Sequence, residues 1–279
     1  MISDSLQPGG TFETLEAFWR GLLLVDWEQP DAPLRLSEGL QLADLTEADF
    51  FINTRILLAT LAENDGAPLT ATGNLNRAFV SGIFDRLKLP KSYRESVRQV
   101  CKVINEQDVW PLHLTRVVAE CAGLMARRKK RFQLTKAGRE LLVDDLAGTM
   151  YRRLFLAYFR KFDLHYDFHL RDVPGIQETM AVILWRLDMV AQDWKPVRGL
   201  APDLLLRGVL DQLHAAMISP YDTEEWILAG YVLEPLHDLG LIERKSHGES
   251  PVVTARDHIR LSPLWRKFIA FRDFNGGVP

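Results

Sequence analysis

One order of signals occurs twice in this chain and limits its fold more than any other feature. In the first copy a helical pattern over His113–Arg127 runs into five consecutive cations, Arg127, Arg128, Lys129, Lys130 and Arg131. Phe132-Gln-Leu-Thr135 follows, with Phe132 and Leu134 on one face by the period-2 rule of a half-buried strand. Thr135 stands where a hydroxyl caps a helix, and Glu140-Leu-Leu-Val143 continues that helix with apolar anchors. In the second copy a helix is expected over Thr223–Asp238, with Gly240 as its stop. Strand Leu241-Ile-Glu-Arg244, tip His247-Gly-Glu-Ser-Pro251 and strand His258-Ile-Arg-Leu261 come next. Ser262-Pro263 then supplies an N-cap and a proline at the first helical position, opening Leu264–Phe271.

Helical periodicity dominates the rest. Leu15, Phe18, Trp19 and Leu22 recur at i, i+3, i+4 and i+7, an amphipathic stripe. Gln29-Pro-Asp-Ala-Pro33 breaks it, and a second helix is expected from Glu47 to Glu63. Asn64-Asp-Gly-Ala-Pro68 is dense turn chemistry. A short extended piece, Pro68–Leu75, leads into a helix over Arg77–Leu87. Further helices are expected over 92–106, 139–158, 175–192 and 203–217. At 279 residues the chain is long enough for two cores. The reading is a mainly α protein of two units, each three helices plus a small β-hairpin, joined by a helical connector. Its parts are an acidic helical N-terminal segment (1–45), unit one (46–147), the connector (148–199) and unit two (200–279).

Charge is unevenly placed. Residues 1–50 hold two cations against ten anions, a net of −8, whereas residues 86–139 hold fourteen cations against four anions, a net of +10. The second segment is a candidate surface for a polyanion. Its five-residue cationic run has two readings, a grip on nucleic acid or a solvated hairpin tip.

The twice-used order resembles the winged-helix domain, a helix-turn-helix variant whose third helix is followed by a hairpin wing. The resemblance covers roughly residues 46–147 and 200–272. Phe132-Gln-Leu-Thr-Lys-Ala-Gly-Arg-Glu-Leu141 is similar to the L-T-x-x-G end of many bacterial regulator wings, and Leu239-Gly-Leu-Ile-Glu243 is similar to the joint between third helix and wing. Pro68–Arg77 and Tyr151–Tyr166 also look like an uncharacterised bacterial family of plasmid-linked and SEC-C-associated proteins, a resemblance that brings no established activity.

Winged-helix proteins lay the third helix in the major groove and the wing against phosphates or the minor groove. Carried over, unit one would face duplex DNA with Arg127, Arg128, Lys129, Lys130 and Arg131 in its wing. Leu114, Thr115 and Arg116 would lie at its helix, with Lys136 nearby. Such wing contacts add affinity by counterion release without reading sequence. The helix offers base edges little beyond Arg116, so binding would be largely sequence-independent. Unit two differs, because its third helix carries Glu224, Glu225, Glu234 and Asp238 and no Lys or Arg. With Trp226, Ile227, Tyr231 and Leu233 on the same helix, it reads as a buried or protein-facing element, Trp226 and Tyr231 being its partner-binding candidates. The function expected is a non-enzymatic DNA-associated or regulatory role, and the alternative is a protein-interaction scaffold without nucleic-acid binding.

Other chemistry finds no support in the spacing. Cys101 and Cys121 lack a CxxC arrangement and read as reduced packing residues, not as a disulfide or metal ligands. His165, Asp167 and His169 alternate in Leu164–Asp172. As a strand the two histidines stand about 13 Å apart at about 3.3 Å per residue, and as a helix Asp167 swings away, so no metal site is expected there. There is no G-x-S-x-G, G-x-x-x-x-G-K, G-x-G-x-x-G or H-E-x-x-H, and the glycine pairs fall at Gly9-Gly10 and Gly276-Gly277. No catalytic residue and no cofactor is expected. The apolar run Gly21–Val25 is far shorter than the roughly 18 residues of a membrane helix and the start is not basic, so a cytoplasmic protein without membrane contact is expected.

Overall fold

The structure is a computed structural model that describes residues 15–166, 172–248 and 250–272. Asp167, His169, Glu249 of the second hairpin tip and both glycine pairs lie outside the described residues, so the expectations placed on them are neither met nor corrected. The chain divides into two compact units. One is Leu40–Asp163, and the other joins the residues up to Gly39 to those from Leu164 onward.

The chain begins in the second of these with α1 (Leu15–Leu24) and β1 (Leu34–Leu36). It then builds the unit Leu40–Asp163 with α2 (Asp49–Glu63), β2 (Ala67–Pro68), α3 (Arg77–Phe84), α4 (Lys91–Val100) and α5 (Trp110–Cys121). The hairpin β3 (Met125–Arg128) and β4 (Arg131–Leu134) follows, then α6 (Lys136–Glu140) and α7 (Ala147–Arg160). Antiparallel strands lie in the order β2-β4-β3. Phe132 and Leu134 are buried, as the alternation requires, and the Thr135 hydroxyl accepts the Gly138 N–H at 2.9 Å. α5 and α7 pack together, and Tyr151, Leu154, Phe155, Tyr158 and Phe159 of α7 are buried. Residues 148–160, assigned to the connector, therefore belong to this core.

The other unit resumes with α8 (Pro174–Glu178), α9 (Met180–Val190), β5 (Lys195–Pro196), α10 (Ala201–Leu204) and α11 (Arg207–Ala216). Next come α12 (Glu224–Leu228), a π-helical turn over Ala229–Leu233 and α13 (Glu234–Asp238). β6 (Ile242–Lys245), β7 (His258–Leu261), α14 (Pro263–Phe268) and β8 (Ile269–Phe271) complete it. Its sheet order is β5-β7-β6, and β1 pairs antiparallel with β8, Leu34 opposite Phe271. Phe18 and Leu22 of α1 are buried, and Trp19 meets Trp185 of α9 edge-on at 5.0 Å.

The two units repeat one hydrogen-bond plan. The Leu124 N–H donates to Ala119 O, and the Thr135 N–H to Leu124 O; Leu241 donates to Leu236 O, and Ser262 to Leu241 O. The capping hydroxyls turn back alike, Thr135 to Gly123 O and Ser262 to Gly240 O. Gly123 and Gly240 both have positive φ, 66° and 73°. The third strand docks alike as well, the Leu69 N–H donating to Lys130 O and the Val197 N–H to Asp257 O. The expected duplication thus extends to a third strand, β2 or β5, of which the sequence marks only the first, within the short extended piece Pro68–Leu75.

Several boundaries move. The helix expected to Arg127 ends at Cys121, because Gly123 in the left-handed region closes it, and Met125–Arg128 become a strand. Two arginines in four residues hide that strand from an apolar alternation test. The helix expected over 92–106 stops at Val100, and that over 139–158 is interrupted between Glu140 and Ala147. The one over 203–217 breaks at the extended Leu205. The last helix ends at Phe268, since Ile269–Phe271 find a partner strand more than 230 residues earlier in the chain.

Candidate functional site

The candidate site is the β3–β4 hairpin. Arg128 pairs with Arg131 across the ladder, so Lys129 and Lys130 are the whole two-residue turn. Both have positive φ, 47° and 61°, the backbone a type I′ hairpin turn needs and one that Asn-Gly takes far more readily than lysine. Arg127, Arg128, Lys129 and Lys130 are exposed. Among the described residues no acidic partner pairs with Arg128, Lys129 or Lys130, whereas the exposed Lys136 sits 3.7 Å from Glu140.

The remaining arginines of the run hold the hairpin in place. Arg131 donates to the carbonyls of Asp65 and Gly66 at 3.2 and 2.9 Å, tying β4 to the end of α2. Arg127 grips Glu120 with two hydrogen bonds, 3.0 and 3.2 Å, and Glu120 also accepts from Arg116 at 2.7 Å. The Arg116 and Arg127 guanidiniums each lie over the Phe132 ring, 5.4 Å from its centre.

Behind the hairpin lies a polar core that motif reading misses. The Glu106 side chain is wholly buried, and its Oε1 accepts from Arg116 Nε at 2.9 Å and Nη2 at 2.8 Å, with His113 Nδ1 at 2.7 Å. Its Oε2 accepts the Leu75 N–H from the turn after β2. Burial alone would raise the Glu106 carboxyl, but His113, Arg116 and the Leu75 amide outweigh it and hold the group below the usual carboxylate range. Burial would likewise lower Arg116, and Glu106 and Glu120 more than reverse that. Nothing in the spacing of Glu106, His113 and Arg116 announces the cluster; helix spacing brings His113 and Arg116 together, and only the fold delivers Glu106.

This corrects the placement of Arg116. It is 3% exposed, a structural ion-pair member and not a group facing a duplex. Leu112, His113, Leu114 and Thr115 are also buried, so the stretch Leu112–Arg116 of α5 is interior, whereas Trp110 is exposed and Pro111, Val117, Glu120 and Cys121 are half-buried. In the other unit Tyr231 is 1% exposed and its ring meets His165 at 4.8 Å, so it is core and not partner surface, while Trp226 is 45% exposed. The acidic residues of that helix are engaged locally: Glu224 with His214, Glu225 with the Gly199 N–H, and Glu234 with the Val253 N–H. Two of its hairpin cations are paired too, Arg244 with Asp257 at 2.8 Å and Arg260 with Glu243 at 2.6 Å. The described histidine of the 164–172 segment, His165, accepts the Val173 N–H and meets Asp172 at 2.9 Å. Cys101 and Cys121 are free thiols. Among the described residues no helix is long and apolar enough to cross a membrane.

No solved structure matches this chain. Over 109 residues it is 32% identical to the "Uncharacterized protein y4jL" of Sinorhizobium fredii (strain NBRC 101917 / NGR234), covering 37% of this chain and 50% of the relative, so the chain spans about half the length of the curated relative it matches. Residues 46–147 match the family model described as the Y4jL N-terminal domain, so the stretch that carries the hairpin and its buried ion-pair core is similar to that uncharacterised bacterial family.

Proposed function

We propose that both units are winged helices and that the first contacts the phosphates of duplex DNA through Arg128, Lys129 and Lys130, with Arg127 as a tethered neighbour. The role is a non-enzymatic, DNA-associated or regulatory one in the cytoplasm. The observation that carries this reading is the lysine pair at the hairpin tip. Each non-glycine residue in the left-handed region costs about 1 kcal/mol, so a tip built from two lysines is conformationally expensive. Strain kept at an exposed, unpaired cationic tip fits a use for those two ammonium groups. Because Leu114, Thr115 and Arg116 of α5 are buried, the contact reads no base sequence; the hairpin adds affinity by counterion release alone.

The test is anisotropy of labelled duplexes of several sequences against the full chain, from about 50 mM salt upward. Binding should be sequence-tolerant, and Arg128→Gln/Lys129→Gln/Lys130→Gln should lower the log–log salt slope by about 0.9 for every phosphate that is no longer neutralised. Undetectable binding by the wild type at low salt, or a triple variant that binds equally well, would sink the proposal. A second reading, a protein-interaction scaffold, is favoured by the buried Leu114, Thr115 and Arg116 of α5 together with the exposed Tyr221 and Trp226 of the other unit, 88% and 45% exposed. It gains if no duplex binds.

A further inference from the structure

We infer that Glu234, His237 and Asp238 form a binding site for a divalent transition-metal cation such as zinc. Among the described residues, one ligand atom from each of the three lies within 4.8 Å of the other two, and all three side chains are half-buried. Positions i, i+3 and i+4 put them on one face of α13. An imidazole with two carboxylates suits zinc, manganese or cobalt, and three protein ligands leave coordination positions for water or a substrate. A bound ion needs its donors about 3.4 Å apart at metal–ligand distances of about 2.1 Å, so small rotamer changes must draw the three inward by about an ångström.

Two further observations support the site. Glu234 is oriented from outside the triad, since its Oε2 accepts the Val253 N–H at 2.7 Å and leaves Oε1 for a cation, the arrangement by which an outer hydrogen bond fixes a ligating carboxylate. The triad also belongs to one copy of the duplicated plan. Matching the shared hydrogen bonds sets His237 against Glu120, Asp238 against Cys121 and Glu234 against Val117. In the first unit Glu120 is held by Arg116 and Arg127. At the places of Glu234 and Asp238 the first unit has Val117 and Cys121, so only the second copy brings an imidazole and two carboxylates to this face. The first copy has a continuous α5, whereas the second has the π-helical turn directly before the triad, a feature that recurs at functional sites.

The experiment is a titration of the full chain, stripped with chelator, with zinc by calorimetry and with cobalt by visible absorption. One equivalent should bind, cobalt should show d–d bands, and His237→Gln and Glu234→Gln should each weaken binding at least tenfold. His247→Gln, in the second hairpin tip, should leave it unchanged. Circular dichroism checks folding, and if Glu234→Gln fails to fold, His237→Gln and Asp238→Asn carry the test. No saturable binding, or wild-type affinity in the folded His237 and Asp238 variants, overturns the site. DNA binding by the other unit is read in a separate assay, so either proposal can fail alone.

Discussion

Arg116 Nη2 donates to Glu106 Oε1 at 2.8 Å with 4% of one side chain and none of the other exposed, so a full ion pair is sealed inside the Leu40–Asp163 unit. Removing one partner of such a pair leaves an uncompensated charge and costs about 3–5 kcal/mol. Glu106→Gln should therefore lower stability by that order in chemical denaturation. Glu106→Gln combined with Arg116→Met should cost less than the sum of the single changes, and additive losses would argue against the pair.

The same carboxylate sets an acid limit. Its folded-state value is depressed, so its contribution is present above the unfolded Glu value of about 4.3 and is lost as pH falls through the lower folded value. Denaturation midpoints should fall below about pH 4, and Glu106→Gln should flatten that part of the profile.

Lys129→Asn/Lys130→Gly should separate stability from binding. Asn-Gly suits a type I′ turn, so the thermal midpoint should rise, by the equivalent of about 1–2 kcal/mol, while duplex affinity falls. A variant that is no more stable would mean the lysines carry no strain.

Glu120 neutralises Arg127 on the hairpin. Glu120→Gln should free that guanidinium, raising low-salt duplex affinity and steepening the salt slope by up to about 0.9, at some cost in stability through Arg116. Unchanged binding would place Arg127 outside the interface.

A Cβ on Gly138 would lie 1.9 Å from the Leu124 carbonyl oxygen. Gly138→Ala should push α6 off the hairpin base and cost about 1–3 kcal/mol in chemical denaturation. Thr135→Ala, losing only the cap, should cost about 1 kcal/mol. The L-T-x-x-G run Leu134–Gly138 thus has a physical meaning, a strand end, a cap and a close approach.

Several features that depend on neighbours within four residues were written in the sequence: the Thr135 and Ser262 caps, the Phe132/Leu134 alternation, the Gly240 stop and the cationic tip. These follow from backbone hydrogen-bonding and side-chain periodicity that a short window contains. The duplication was legible for the same reason, since both copies use the same local devices. Only the tertiary structure decided that Arg116 and Tyr231 are interior, that Ala67–Pro68 and Lys195–Pro196 complete the sheets, and that Ile269–Phe271 pair with Leu34–Leu36. An arginine on a helix reads as a solvated cation until a distant glutamate and the helix that covers it are in place. Burial is a property of what packs on a residue, and that partner lies outside any local pattern.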